Sequence, residues 1–176
     1  MVKIRHTLQL FILTLFIVSC SPFRVVSDYD KNVDFSQYKS YQISNLGELN
    51  LNDIDQSRVL EELNRQLALK NIHSSDTPDL KIEIKASHKI VRDNYITPSV
   101  NFGSWGRWFG GGIGIGRTFS KEYTSGTLVF EFIDAKTGKL VWQGMGSGLK
   151  VDSPKSKQEQ IPKMIEKMMK NFPPRK

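Results

Sequence analysis

The order of hydrophobic and polar residues predicts both strands and helices along the chain. Leu80–Ala86 alternates apolar with charged residues, which predicts a strand with one face against a core and the other in solvent. Over Val59–Leu67 apolar residues recur every three or four positions, so an amphipathic helix is expected. Its start is predicted at Asp53, with Gln56 three residues later as in a capping box, and its end near Lys70.

Three further stretches have the composition of strands, and one has that of a helix. Aromatic and β-branched residues over Tyr38–Ser44 favour a strand. Gly126–Ile133 and Lys139–Gly144 flank a short turn and predict a hairpin, in which Gly138 supplies a positive φ angle. Gln158–Asn171 carries isoleucine and methionine at helical spacing. That methionine-rich face is expected to dock on the sheet, with a partner-binding face as the alternative.

These elements follow one another in the order β-α-β-β-β-α. That order predicts an α+β domain, in which a mixed sheet of about four strands has two helices packed on one face. A strand with one solvated face agrees with helices on one side only. Residues 29–174 provide enough chain for a single domain with its own hydrophobic core.

The N-terminal residues have the pattern of an export signal. Lys3 and Arg5 precede an uncharged stretch, Leu8–Val18, which is shorter than the roughly twenty apolar residues that a membrane span needs. The tetrapeptide Ile17-Val-Ser-Cys resembles the lipobox of bacterial lipoproteins, and Cys20 is the only cysteine in the chain. We therefore expect a signal peptide over residues 1–19, lipidation of Cys20, and a short tether over residues 20–28. An ordinary secretory signal, with Cys20 near the cleavage site by chance, is the alternative.

Lipidation of this kind places a protein at a membrane outside the cytosol. Two or three acyl chains hold it stably at a bilayer, and Ser21 and Pro22 lack an acidic retention signal. The absence of this signal points toward the outer membrane. Removing Lys3 and Arg5 from the 25 basic residues leaves 23 against 18 acidic ones. This modest excess of positive charge fits either a solvated surface or attraction to anionic lipid or envelope polymer. Nucleic acid is not an expected partner.

The glycine-rich stretch near residue 110 matches a phosphate-binding loop only in part. Gly111 and Gly116 have the required spacing, but Arg117 replaces the lysine, and no amphipathic helix follows to supply amides and a dipole. The dinucleotide-binding fingerprint has no match in the segment either. The sequence therefore predicts no nucleotide and no other cofactor.

What remains is a loop of about twenty residues, Pro98–Arg117, which is rich in glycine and aromatic residues. Loops of this length without regular structure tend to be functional or disordered. Either the tryptophans fold back to cover an end of the sheet, or the loop forms a surface that meets lipid, glycan or a protein partner. The candidate partner-binding residues are Phe102, Trp105, Trp108, Phe109 and Arg117.

Patterns for metal binding and catalysis are incomplete. Asp28–Asp34 alternates oxygen ligands like the first half of a calcium loop, but the required glycine and the closing glutamate are missing. His73 and His88 have no spacing that selects a triad or a zinc motif. The carboxylate pair Glu61–Glu62 is expected on the exposed face of its helix. We therefore expect no metal site, no catalytic residue and no enzymatic activity.

Taken together, the segments resemble the bacterial envelope lipoproteins catalogued as the domain of unknown function 4136 family, over residues 25–174. The resemblance is carried by the lipobox, SDYDKNVDFSQYKSY, LALKNI, PDLKIEI, the glycine and aromatic-rich loop, GTLVFEFIDAKTGKLVWQG and the terminal NFPP. Gly126–Gly144 is the most specific part. Members of this family are mostly from Gram-negative bacteria, so the resemblance implies an outer-membrane anchor facing the periplasm, together with the fold. Because the family has no established activity, the resemblance carries over no catalytic residue.

The sequence therefore favours a membrane-anchored, non-catalytic binding or assembly module of the cell envelope. A sheet edge or the Trp105 and Trp108 loop is expected to contact an envelope protein or glycan. One alternative is an enzyme acting on an envelope polymer, which needs His73, His88 or paired carboxylates in one cleft. The other is a passive structural lipoprotein. The identity of the partner and the oligomeric state are left open.

Overall fold

The protein is an α+β domain with two helices and a mixed sheet. The structure is a computed structural model that describes residues 23–44, 49, 51–96, 99–101, 112–114 and 118–174. Its elements are β1 (Arg24–Tyr29), β2 (Ser40–Ile43), α1 (Asp53–Ala68), β3 (His73–Ser74), β4 (Leu80–Ile96), β5 (Ser99–Asn101), β6 (Gly112–Gly114), β7 (Thr118–Asp134), β8 (Leu140–Lys150) and α2 (Pro154–Met169), with a 3₁₀ turn at Phe35–Gln37 before β2.

Six strands form one sheet in the order β1-β8-β7-β4-β2-β3. Along β1, β8, β7 and β4 each strand runs antiparallel to the next, and β2 runs parallel to both β4 and β3. β5 and β6 form a separate antiparallel pair. The α+β class, the four expected strands and both helices are thus confirmed, whereas the expected number of about four strands is too small.

The additional strands lie where the sequence has little hydrophobic periodicity. β1 is an edge strand whose side chains, apart from half-buried Val25, are exposed, so it has no alternating pattern to detect. Its position also corrects the expected tether, because residues 24–28 pair with β8 instead of forming a free linker. β3 has only two residues. β5 and β6 lie within the expected loop Pro98–Arg117, which therefore contains some regular structure.

The helix starts differ from the predicted ones by a few residues. Asn52, not Asp53, caps α1, and its side-chain oxygen accepts a 2.9 Å hydrogen bond from the Asp55 amide. α2 begins at Pro154, ahead of the predicted Gln158, because Ser153 caps it and proline is well tolerated in the first turn. A cap needs only one side-chain acceptor and one free amide. Several neighbouring polar residues can supply that acceptor, so the sequence does not show which of them caps the helix.

Both helices cover the same face of the sheet. The alternating residues Leu80, Ile82 and Ile84 of β4 are at most 1% exposed, and α1 and α2 bury their apolar sides against this face. The predicted methionine stripe is confirmed as core, since Met164, Met168 and Met169 are fully buried. The largest fully buried side chains are Trp142, Phe130, Phe132, Phe172, Leu63, Leu67, Leu80, Ile82, Ile84, Met164, Ile165 and Met168.

Two glycines of β8 make room for this packing. A Cβ atom on Gly144 would overlap Cη2 of the Trp142 indole, and one on Gly146 would lie 2.6 Å from Cγ and Sδ of Met164. The indole and the thioether therefore lie directly on the backbone of β8. In the hairpin turn before β8, Gly138 has φ of 69°, which confirms the predicted positive φ angle.

Candidate functional site

β4 and β7 continue beyond the helix-covered part of the sheet as a two-stranded ribbon. They pair over their whole lengths, but β2 pairs with β4 only as far as Ile82, and β8 pairs with β7 only from Ser125. We call the remaining part, Ile90–Ile96 paired with Thr118–Thr124, the arm. Seven residue pairs correspond to about 20 Å at roughly 3.4 Å per residue. In the described part of the chain no third strand joins the arm.

Among the arm side chains that the structure describes, those of residues 90–92 and 121–124, most are polar and one large apolar side chain is strongly exposed. Ile90 is 70% exposed. Nε of Arg92 donates a hydrogen bond across the strands to Glu122, and the ammonium of Lys150 lies 5.4 Å from the ring centroid of Tyr123. The first contact joins the two strands of the arm, and the second joins β7 to the end of β8.

The last pair of the arm is Ile96 with Thr118. The segment between these two residues therefore begins and ends at the tip of the arm. The predicted partner-binding residues belong to this segment and lie outside the described residues: Phe102, Trp105, Trp108, Phe109 and Arg117. Cys20, the predicted lipidation site, also lies outside the described residues.

A cavity of about 280 Å³ lies where the arm leaves the body of the domain. It is bordered by the first turns of both helices, by β4 and β7 at the base of the arm, and by the end of β8. Asp55, Lys157, His88 and Thr124 contribute polar groups, and apolar side chains such as Ile161 form the rest of the wall. The cavity could not be predicted from the sequence, because its residues come from five elements that are far apart in the chain.

Asp55 is the most buried ionisable group of the cavity, at 4% exposure. Its carboxylate accepts hydrogen bonds of 2.6 Å from Nζ of Lys157, 2.6 Å from Nη1 of Arg58 and 2.8 Å from Nδ2 of Asn52. Burial alone raises the pKa of Asp55, but these three donors outweigh it, and the pKa lies below its ordinary value. The carboxylate therefore joins the two helices in its ionised form.

The two histidines considered in the sequence are far apart in the fold. His88 lies on β4 and lines the cavity, whereas His73 lies on β3 at the edge of the sheet. No hydrogen bond joins His88 to Asp55 among the contacts of the described residues. The expected exposure of Glu62 is corrected: it is 8% exposed and accepts hydrogen bonds from Arg65 and Gln66.

Two further carboxylates, those of Asp79 and Asp134, fix the turns at the opposite end of β4. Oδ2 of Asp79 accepts hydrogen bonds from the amides of Lys39 and Ser40 and from the Ser40 hydroxyl. The Tyr38 hydroxyl donates a 2.9 Å bond to Oδ2 of Asp134. Burial and the neighbouring carboxylate raise the pKa of Tyr38, while backbone amides lower the pKa of both aspartates. The sequence indicates a turn at Asp134, the first residue of D-A-K-T-G, but it does not show that Asp134 accepts a hydrogen bond from Tyr38.

Neither a metal site nor a membrane span is found in the described parts of the chain. No group of three or more histidine, cysteine, aspartate or glutamate residues there is arranged to hold a metal ion. In the Asp28–Asp34 stretch, Asp30 and Asp34 accept hydrogen bonds from nearby amides, as in ordinary turns. No described helix is long and apolar enough to cross a bilayer.

Residues 25–174 match the protein family described as Domain of unknown function (DUF4136). The chain belongs to this family. The resemblance inferred from the sequence segments is therefore confirmed over the same residues. No match is found among curated proteins.

The chain is also similar in fold to solved structures. A PDZ domain protein from Parabacteroides distasonis is 14% identical with a TM-score of 0.54, and the match covers 93% of this chain but 39% of that one. The PelC dodecamer from Paraburkholderia phytofirmans is 12% identical with a TM-score of 0.48, covering 84% of this chain and 95% of that one. At these identities the likeness concerns the fold alone.

Proposed function

We propose that this chain is a lipid-anchored envelope protein, held at the periplasmic face of the outer membrane, that binds another envelope component without catalysing a reaction. Binding takes place through the arm and the segment at its tip. The observation that carries this proposal is the extension of β4 and β7 by about 20 Å beyond the sheet that the helices cover.

The arm adds little to the core, which supports a role in binding. Ordering each backbone residue costs roughly 1–2 kcal/mol, and a two-stranded ribbon without a covering layer recovers little of that cost by burial. Beyond Thr124, whose backbone bonds to Val151 and Asp152, both outer edges of the arm carry backbone groups that no described strand pairs. Such edges bind extended segments by adding a strand, and exposed Ile90 offers an apolar contact beside them.

The contacts in the cavity support a non-catalytic role. Asp55 already accepts three strong hydrogen bonds, and its lowered pKa makes it a weak base at neutral pH. His88 shares the cavity with it, which is the observation that favours the enzyme alternative. If that alternative holds, His88→Ala abolishes the cleavage of an envelope polymer by the purified protein while the fold remains intact.

The paired ends of the arm allow the tip segment to be removed cleanly. Ile96 lies opposite Thr118, so an Asn-Gly dipeptide in place of residues 97–117 closes the hairpin with a two-residue turn. We expect the shortened protein to unfold at the same temperature as the full protein, because its core is untouched. In cells it is expected to lose a specific crosslinked partner.

Photo-crosslinking compares two exposed positions. A crosslinker at Ile90 on the arm should capture the same partner from intact cells repeatedly, and one at Lys136 in the distant β7–β8 turn should not. Loss of the Ile90 adduct in the shortened protein supports binding through the tip. Unchanged adducts at Ile90, or equal adducts at Lys136, contradict the proposal and leave the passive structural lipoprotein as the better account.

A further inference from the structure

Phe23 fixes the start of the domain to the side of α2. Its side chain is 7% exposed, and Nζ of Lys167 lies 5.5 Å from the centroid of its ring. Three Cα steps separate Phe23 from Cys20, a reach of at most about 11 Å. A lipid on Cys20 therefore enters the bilayer close to this corner of the domain.

The same corner is rich in positive charge. Lys163, Lys167 and Lys170 are exposed and lie four and three residues apart, which places them on one stripe of α2 and its C-cap. Arg24, also exposed, directly follows Phe23. None of these four cations forms an ion pair with a described carboxylate.

The remaining charged groups of α2 leave this excess in place. Glu159 and Glu166 are the acidic residues of the helix. The pKa of Arg65 on α1 is raised mainly by its hydrogen bond with Glu62, and Glu166 adds to that rise. Lys157 forms an ion pair with Asp55, so its charge is neutralised and does not add to the exposed positive charge of the helix. Lys155 adds a further exposed cation in the first turn. The exposed side of the helix is therefore net positive.

We propose that this corner, formed by Phe23, Arg24, Lys163, Lys167 and Lys170, docks on the anionic headgroups of the bilayer that holds the lipid. The proposal rests on the proposed lipid anchor. The short connection to Cys20 keeps Phe23 within about 11 Å of the lipidated residue, which is comparable with the Debye length of about 8–10 Å, so attraction between this corner and anionic lipid is only partly screened. Contact at both the anchor and the patch gives the arm a defined orientation relative to the membrane.

Vesicle binding by unlipidated protein isolates the patch from the anchor. The chain from residue 20 onward, carrying Cys20→Ser, contains every described residue and is mixed with vesicles of phosphatidylcholine alone or with phosphatidylglycerol added. We expect binding to the phosphatidylglycerol vesicles only, weakening as salt is raised. Each cation near an anionic surface strengthens binding by roughly fivefold. The triple variant Arg24→Gln, Lys163→Gln, Lys167→Gln should therefore bind these vesicles roughly a hundredfold more weakly.

A matched triple variant controls for net charge. Lys81→Gln, Lys136→Gln and Lys139→Gln remove three exposed cations from the open face of the sheet and the β7–β8 turn. This variant should bind nearly as well as the unaltered chain. An equal loss in both triple variants, or no binding to anionic vesicles by the unaltered chain, overturns the docking face.

Chemical footprinting tests the orientation itself. The chain from residue 20 is coupled through the thiol of Cys20 to a maleimide lipid in phosphatidylglycerol vesicles and then acetylated. Lys163 and Lys167 should react several-fold more slowly than in the uncoupled chain, and Lys136 should not change. If Lys163 and Lys167 react as fast in the coupled chain as in the uncoupled chain, the proposal is overturned. Because the coupling is chemical, that result leaves native lipidation and the partner of the arm untouched as separate questions.

Discussion

Nζ of Lys157 lies 2.6 Å from Oδ2 of Asp55, a residue 102 positions earlier in the chain. The contact joins the first turns of α1 and α2 at the edge of the cavity. Lys157→Met leaves the buried carboxylate with one cation fewer, so we expect the free energy of unfolding to fall by about 1–2 kcal/mol, below the full value for a buried pair because Lys157 is partly exposed. Urea denaturation measures this change.

Lys155 provides the control for that substitution, because it is exposed in the same helical turn. Lys155→Met should change stability by less than about 0.5 kcal/mol. Equal effects of the two substitutions would show that Asp55 does not depend on Lys157.

Asp79 and Asp134 predict how stability depends on pH. Backbone amides lower the pKa of both carboxyl groups in the folded protein. The unfolded chain therefore binds more protons than the folded one in acid, so this contribution is present above about pH 4–5 and is lost as the pH falls further. Urea denaturation from pH 7 to pH 3 should show the free energy of unfolding decreasing over the acidic part of this range.

Asp79→Asn removes one of the two groups and serves as the check. Its stability deficit relative to the unaltered protein should be largest at pH 7 and shrink as the pH falls. A deficit that stays constant across the range contradicts the assignment of acid sensitivity to Asp79.

Gly144 and Gly146 should differ in their tolerance of a methyl group. The indole over Gly144 belongs to fully buried Trp142 and packs against Phe132 and Phe172, with ring centroids 4.8 and 5.2 Å away, so it has little room to move. The side chains over Gly146 are those of Met164 and Met168. Methionine is unbranched and adapts to a change in space more easily than an indole does. We expect Gly144→Ala to cost about 2–3 kcal/mol and Gly146→Ala about 1 kcal/mol in unfolding free energy. A reversed order in thermal or urea denaturation contradicts this packing.

The arm should open without unfolding the domain. Its amides have cross-strand partners but no helix of the described residues above them, whereas β4 amides from Leu80 to Ala86 lie under the core. Hydrogen exchange followed by NMR should give opening free energies for residues 90–96 that are lower by about 2 kcal/mol or more. Equal protection along the whole of β4 would mean that something covers the arm.

Lipidation is tested by the mass of the protein extracted from membranes of its native host. We expect a chain that begins at Cys20 and carries a diacylglyceryl adduct on the sulfur. Cys20→Ala should block both processing and membrane retention. An unmodified full-length chain in the cytosolic fraction contradicts the proposed anchor, and with it the location on which the proposed partner depends.

Periodic segments were predictable because their signal is repeated. Leu80–Ala86 alternates over seven residues, and the Gln158–Asn171 stretch repeats its apolar positions over several turns, so one ambiguous residue does not hide either pattern. The hairpin turn at Gly138 was predictable because few residues adopt its backbone conformation. In each case the information lies within a few neighbouring residues.

Features that depend on distant partners were not predictable. β1 forms because its backbone pairs with β8, which is more than 100 positions away and sets no pattern in the residues 24–29. The cavity needs Asp55, His88 and Lys157 from three separate elements. The lengths of β4 and β7 also depend on each other, because a strand continues only as far as it has a partner.

The sequence by itself therefore determined the class of fold, the faces of both helices, the hairpin and the family, because each follows from local periodicity or from a contiguous motif. Only the tertiary structure decided that two long strands leave the body as an arm, that a cavity lies at its base, and that Phe23 packs beside Lys167 of α2. The physical reason is that pairing and packing between distant segments obey geometry in three dimensions, which a one-dimensional pattern does not record.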